Sequence, residues 1–263
     1  MTDAPHGWTA LVLAGQRPGI DRLAAHFGRE AKALIPVAGE PMLGRVLRAL
    51  AAAPGIARII VLAQDAPALL AAPELAWTTS DPRIGPRVSG RTISGSVLAV
   101  VEDPEVGLPL LVTTADNVML TPATIAEFLA GAGADDVSVA MVERGCLEAA
   151  VGPNRRTWLA FRGGAYTGAN LFALTGPGAL AALRFWETVE ADRKSVLRLA
   201  AHFGPVMMVR LLLRRLTLES ALAAAGAKIG AQAAPVLLSD GRMGVDVDKP
   251  EDHVLAERLL AQG

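Results

Sequence analysis

Residues 9–36 read TALVLAGQRPGIDRLAAHFGREAKALIP, and the order of these residues decides the fold. The apolar run over residues 10–14 has no polar alternation and stops at Gly15, as expected of a strand buried on both faces of a parallel sheet. Gln16-Arg17-Pro18-Gly19 follow, and Lys32 stands further on. Glycines let backbone N–H groups approach an anion and cations neutralise it, so the segment has the parts of a phosphate-binding loop. It contains neither G-x-x-x-x-G-K-[ST] nor G-x-G-x-x-G, which excludes a P-loop and a dinucleotide fingerprint. Lys32 reads equally well as a solvated loop lysine.

Outward from this loop, residues 41–53 carry Met42, Leu43, Val46, Leu47 and Leu50 at helical spacing behind Pro41. Residues 58–63, RIIVLA, read as a second buried strand. Strand, helix and strand in this order make a βαβ unit with a right-handed crossover, and ligands of such sheets sit at the carboxyl ends of the strands, where Gly15 lies. Residues 66–74 read as helix or loop and 75–79 as a short strand. Residues 81–96 read as a surface loop, with Ser94 or Gly95 near the N-cap of the helix that follows.

Residues 108–114, LPLLVTT, form the next strong strand and run into Asp116-Asn117. A carboxylate at the exit of a central strand stands over the site, although the same pair suits an Asx turn. Thr121-Pro122 opens a helix over 122–129. The pattern then predicts a strand over 136–143, a hairpin-like excursion over 146–153 and 157–161, a glycine-dense turn over 163–170, a strand over 171–174, and helices over 179–189 and 195–202. The apolar and basic run 206–218 predicts core packing with arginines at the rim, in preference to membrane contact. Residues 244–256, GVDVDKPEDHVLA, alternate Val245 and Val247 with Asp246 and Asp248, a short strand with both carboxylates on one side. Lys249-Pro250-Glu251-Asp252 then opens the terminal helix, with Asp252 as a helix-start residue.

Taken in order, Leu13-Ala14-Gly15, Lys32, Gly39-Glu40-Pro41-Met42-Leu43, Asp116 and the run from Asp246 to Asp252 resemble the nucleotidyltransferases of the GT-A-like fold. That group includes the MobA-like NTP transferases and the sugar- and alcohol-phosphate cytidylyltransferases. Its signatures are L-A-A-G-x-G-x-R, then P-K, then G-x-P-[ML]-[IL], and a terminal D-[IV]-D-T-P-E-D. The chain departs from them at Arg17, in the place of the second glycine, at Ala31 before the lysine, at Lys249 in the threonine position, and in a longer loop. The family's arginine is therefore either Arg17 or Arg22. Lys32, one of four lysines among 25 basic residues, falls where the family has its lysine.

The resemblance implies one three-layer α/β/α, Rossmann-like domain over residues 1–263 with a mostly parallel mixed sheet. It implies transfer of an NMP from an NTP to a sugar, alcohol or cofactor phosphate, with Mg²⁺ and release of pyrophosphate. Lys32, Arg17 and Asp116 would be catalytic. Leu13, Ala14, Gly15, Gln16, Arg17 and Lys32 would meet the nucleotide, together with Arg91, Ser94, Gly95 and Ser96, unless the last four only form a surface loop. Tyr166, Thr167, Gly168, Asn170 and Lys194 would meet the acceptor, or else form a plain turn and a solvated helix start. Asp116 and Asp248 would hold the metal, with Asp246 ranked below them. A GT-A glycosyltransferase would share the sheet and the metal but use a nucleotide-sugar. A relative that binds nucleotide without turnover would tolerate the altered glycine loop. Only the first of these releases pyrophosphate.

Composition bounds the alternatives. A chain of 263 residues, 52% hydrophobic, can bury a sizeable core. A formal charge of −1 removes the general electrostatic argument for nucleic acid or an anionic membrane. Cys146 is the single cysteine, so no disulfide forms within the chain. The four histidines lack metal-ligand spacing, the N-terminus has no basic region followed by an apolar core, and no stretch approaches about 18 uninterrupted apolar residues, so neither a signal peptide nor a membrane span is expected. The expectation is a cytoplasmic protein whose partners are an NTP and a small phosphorylated acceptor, with a homodimer left open.

Overall fold

The computed structural model describes residues 7–262 apart from 17, 18, 20, 155 and 193–203. The strands in chain order are β1 (Trp8–Leu13), β2 (Pro36–Val37), β3 (Glu40–Pro41), β4 (Ile56–Ala63), β5 (Ile84–Val88), β6 (Leu110–Thr114), β7 (Val137–Glu143), β8 (Leu159–Phe161), β9 (Gly164–Leu174) and β10 (Ala233–Leu237). Eight of them form one sheet of order β10-β7-β9-β6-β1-β4-β5, with β8 paired to β9 alone. β1 runs parallel to β4 and β6, whereas β9 runs antiparallel to both β6 and β7.

The run over residues 10–14 is unbroken because the sheet is covered on both sides. Ala10 and Val12 face one core with Met42, Val46, Leu47 and Phe128, while Leu11 faces another with Ile60, Val97, Leu110 and Leu183. The first layer holds the helices Met42–Ala52, Pro122–Gly131 and Pro250–Leu260, and the second holds Ile93–Val101 and Gly178–Asp192. This is the three-layer α/β architecture with a mostly parallel mixed sheet that the sequence led us to expect. β2 and β3 form a separate ribbon whose turn residues, Ala38 and Gly39, both have positive φ (51° and 79°), the backbone of a two-residue hairpin.

Several local expectations are corrected. Residues 75–79 lie in a 3₁₀ helix, Pro73–Ser80, and not in a strand. The loop expected over 81–96 contains edge strand β5, hidden in the sequence by Gly85-Pro86, which an edge tolerates. Its helix is capped by Thr92, which accepts from the Gly95 N–H at 3.1 Å, and not by Ser94 or Gly95. The first arm of the expected hairpin is the helix Arg144–Val151, whereas β8 supplies the second. The expected turn over 163–170 is part of the long strand β9, which kinks at Asn170, φ 49°. Residues 245–248 follow a 3₁₀ turn, Gly241–Gly244, as extended backbone outside any sheet, with Val245 and Val247 fully buried. Within 206–218, Val209 and Leu213 are exposed, contrary to core packing. The helix expected over 195–202 lies outside the described residues.

Candidate active site

β1 and β6 end together. The register pairs Leu13 with Thr114, the Ala115 N–H donates to the Leu13 carbonyl at 3.0 Å, and the Ala14 N–H donates to the Leu62 carbonyl at 2.9 Å. Ala14-Gly15 and Ala115-Asp116 therefore leave the sheet side by side. The Gln64 side chain, at the end of β4, clamps the first of these exits: its Oε1 accepts from the Gln16 N–H at 3.1 Å and its Nε2 donates to the Gln16 carbonyl at 2.8 Å. A Cβ on Gly15 would lie 3.1 Å from Gln64 Oε1, so a side chain there would push the clamp away. Gln16 Nε2 donates to the Glu30 carbonyl at 3.2 Å, which joins the loop to the segment that carries Lys32.

Lys32 opens a 3₁₀ turn, Lys32–Leu34, and its ammonium reaches two carboxylates. It donates to Asp116 Oδ2 at 2.6 Å and to Asp248 Oδ1. The other oxygen of Asp116 accepts from the Thr114 hydroxyl at 2.5 Å. Side chains of Lys32 and Asp116 are each 19% exposed and that of Asp248 is 59% exposed, so the cluster opens to solvent on the Asp248 side. Burial alone would lower the Lys32 pKa, but Asp116 and then Asp248 outweigh it and hold the ammonium above its ordinary 10.5. Asp248 is held by its backbone: the N–H groups of Asp248 and Lys249 donate to Asp252 Oδ2 at 3.2 and 3.0 Å, the helix-start role expected of Asp252.

Asp246 is engaged elsewhere. Its Oδ1 accepts from Arg156 at 2.6 Å and its Oδ2 from the Asn170 amide at 3.4 Å. Asn117, nearly fully buried, donates to the Ala169 carbonyl at 3.0 Å and to the Thr113 hydroxyl at 3.2 Å, which fixes the turn carrying Asp116 against β9. His253 ties the terminal helix to the segment after Lys32 through Nε2 and the Pro36 carbonyl at 2.7 Å, with its ring 4.3 Å from that of Phe27.

Of the residues singled out in the sequence, Lys32, Asp116 and Asp248 come together, with Leu13, Ala14, Gly15 and Gln16 at the strand exit beside them. Arg17 and Lys194 lie outside the described residues. Arg22 is an exposed first residue of the helix Arg22–His26. Arg91 is exposed in the bend before Thr92. Ser94 and Ser96 are buried, and the Ser96 hydroxyl donates to the Thr92 carbonyl at 2.5 Å and accepts from the Gly90 N–H at 2.9 Å. A Cβ on Gly95 would come within 2.7 Å of the Thr92 hydroxyl that caps this helix and 2.9 Å of Glu187 Oε1, so this glycine leaves room for the cap. Tyr166, Thr167 and Gly168 pair with Glu143, Val142 and Met141 along β9. Of these, Thr167 is buried and Gly168 is exposed.

Gln64, Thr114, Asn117, Arg156 and His253 were not singled out. Each acts through a partner distant in sequence or through a local hydroxyl, and only the Asp116-Asn117 pair carried a readable signal.

Two carboxylates that meet one ammonium are also close enough to share one cation. The donors are hard oxygens, the kind Mg²⁺ takes as one or two carboxylates, its shell completed by water and phosphate oxygens. Among the described residues no group of three or more His, Cys, Asp or Glu could hold a metal ion by itself. Among the described residues, no helix is long and apolar enough to cross a membrane.

A mostly parallel sheet with one reversed strand, a glycine exit on β1 and two aspartates at its carboxyl edge agree with the nucleotidyltransferase class of α/β protein. The model of the MobA-like NTP transferase domain matches residues 10–240, and the chain belongs to that family. It is similar to a hypothetical transferase from Thermus thermophilus, at 31% identity over 94% of this chain and 99% of that one, with a TM-score of 0.77. Two less similar structures share the fold. The 4-diphosphocytidyl-2C-methyl-D-erythritol synthase of Anaerococcus prevotii is 10% identical over 98% of each chain, with a TM-score of 0.57. A CMP:2-keto-3-deoxy-manno-octonic acid synthetase, complexed with CTP, is 16% identical over 97% of this chain and 99% of its own, with a TM-score of 0.58. Among curated proteins, none matches the chain.

Proposed function

We propose that the protein is a Mg²⁺-dependent nucleotidyltransferase that moves a nucleoside monophosphate from an NTP to a small phosphorylated acceptor. The observation that carries this reading is the convergence of Lys32, Asp116 and Asp248 beside the Gly15 exit of β1. An oxygen of the acceptor phosphate bonds to the α-phosphorus as the bond to the bridging oxygen breaks, and pyrophosphate leaves with the electron pair. The reaction asks for alignment and charge neutralisation more than for covalent help from the protein.

The backbone of the glycine loop and Arg17 serve the β- and γ-phosphates, and Lys32 serves the α-phosphate. Arg91 is the accessible nucleoside-side candidate, since Ser94 and Ser96 are buried. Gly168, Tyr166 and Asn170, with Lys194, serve the acceptor. Asp116 and Asp248 would hold Mg²⁺, which when bound neutralises charge on the triphosphate. Asp246 stays outside this set because Arg156 holds it. The test is pyrophosphate release by the full chain, with each NTP offered against sugar, alcohol and cofactor phosphates. Turnover of a nucleotide-sugar, with no pyrophosphate from any NTP, would replace this reading by a glycosyltransferase.

A further inference from the structure

The Lys32 ammonium bonds both carboxylates that the proposed reaction assigns to the metal. Charge-assisted hydrogen bonds of this kind are short and strong, and the cation also relieves repulsion between the two acids. The second oxygen of Asp116 is already committed to Thr114. We infer that Lys32 competes with the divalent cation for Asp116 and Asp248, so that these aspartates accept the cation with the nucleotide and resist it beforehand. The inference rests on the nucleotidyltransferase reading and names how its site is controlled.

A hydrated divalent cation that approached the aspartates alone would have to eject Lys32 from both bonds. The ammonium, with a side chain only 19% exposed, would then lose its counter-charges without a replacement. Magnesium in addition dehydrates reluctantly. A triphosphate seated at the Gly15 loop changes the balance, because its anionic oxygens offer Lys32 new acceptors. Lys32 thus passes from carboxylate to phosphate as the nucleotide arrives. Its two roles, guard of the aspartates and stabiliser of the α-phosphate, are alternatives in time.

Cooperativity between cation and nucleotide alone does not test this, since a triphosphate ligates the cation directly. The diagnostic quantity is the affinity of Mn²⁺, taken alone, for the full chain, measured by titration calorimetry or by loss of the free-ion paramagnetic signal. Lys32→Ala and Lys32→Gln should each bind Mn²⁺ alone at least about tenfold more tightly than the unmodified chain, within the usual range of site-to-site coupling. The gain should vanish when Asp116→Asn is added to either, which locates it at this pair. Two variants guard against a single folding failure, with circular dichroism as the check. Equal, weaker or undetectable Mn²⁺ binding in both folded variants overturns the inference. Tighter Mn²⁺ binding together with no pyrophosphate from any NTP in the unmodified chain would instead sink the transferase reading and leave the competition standing.

Discussion

The backbone N–H of Val247 donates to the carbonyl of Asp116 at 3.3 Å. Through this bond the turn after β6 and the extended segment before the terminal helix are one unit, and Asp248 follows Val247 directly. Val245 and Val247, both fully buried, press the segment against the core, so the carboxylate between them and the one after them point the other way. Proximity of Asp116 and Asp248 is thus set by backbone and packing as well as by Lys32. Asp116→Asn should accordingly keep the fold, with a loss of about 1–3 kcal/mol because part-buried Lys32 loses one of its two charged partners. Its rate of pyrophosphate release should fall by about 10²–10³-fold, the usual cost of removing one electrostatic contact at a reacting phosphate or acyl group. Near-normal turnover would move the metal site elsewhere.

A second prediction concerns His253. The Pro36 carbonyl can only accept, so Nε2 carries the proton, and the ring packs on Phe27. Loss of a part-buried hydrogen bond and ring contact makes His253→Ala about 1–2 kcal/mol less stable to denaturant. His253→Gln, which restores a donor, should recover part of this. Equal stability of all three proteins would show that the clamp carries no weight.

Stability against pH should report the turn that delivers the Asp248 segment. Burial alone would raise the Asp240 pKa, but the Arg242 side chain and N–H, at 3.0 and 2.9 Å from Oδ1, hold it below its ordinary 3.8. A carboxyl depressed on folding stabilises the native state above the unfolded value, and that stabilisation is lost as pH falls through the folded value. The difference in unfolding free energy between the unmodified chain and Asp240→Asn should be constant above about pH 5 and shrink as pH drops below 3.8. A difference that grew on acidification would reverse the assignment.

How much of this was legible in the sequence depends on the range of the interaction. The 10–14 run, the helix behind Pro41 and the strand before Asp116 were readable, because burial on both faces of a parallel sheet or on one face of a helix leaves a periodic trace. β5 and β10 were not, since edge strands tolerate Gly, Pro and exposed Val88 or Leu237. β9 was misread because Gly163, Gly164 and Gly168 look like turn residues, whereas one marks a hairpin turn and the others sit in a strand that kinks at Asn170. Lys32, Asp116 and Asp248 were singled out through motif order, and the fold brings them together. Arg156 and Gln64 were not, because their partners, Asp246 and Gln16, are fixed only by the tertiary fold.

The arginine of the phosphate loop gives a fourth test. Gln64 holds the Gln16 backbone at the strand exit, and Arg17 is the next residue in the sequence, whereas Arg22 is an exposed residue of the following helix. Arg17→Ala should weaken NTP binding more than Arg22→Ala, since Arg17 is nearer in sequence to Gly15 and the rigid fork of a guanidinium suits a phosphate. Calorimetric titration of both variants with NTP in Mg²⁺ decides it, and a larger loss at Arg22 would exchange their roles.

The last prediction separates Asp246 from Asp248, which the sequence placed on the same face two residues apart. Arg156, only 13% exposed, donates to Asp246 Oδ1 at 2.6 Å and also stands 3.8 Å from Asp252. Asn170 occupies the other oxygen of Asp246 at 3.4 Å, from a backbone held at positive φ. A carboxylate so engaged is a positioning group: it anchors the 245–248 segment to the loop that carries Arg156 and to β9. Asp246→Asn keeps most of the shape while halving the charge pairing of Arg156, and truncation of one partner of a charged, part-buried pair leaves the other unsatisfied at a cost of about 1–3 kcal/mol. Asp246→Asn and Arg156→Ala should therefore both lower stability, and the double variant should lose less than the sum of the two. Asp248→Asn, at an exposed carboxylate, should instead leave stability nearly unchanged and weaken Mn²⁺ binding in the presence of NTP. If Asp246→Asn weakens Mn²⁺ as strongly as Asp248→Asn while stability holds, Asp246 is a metal ligand and Arg156 releases it when the cation binds.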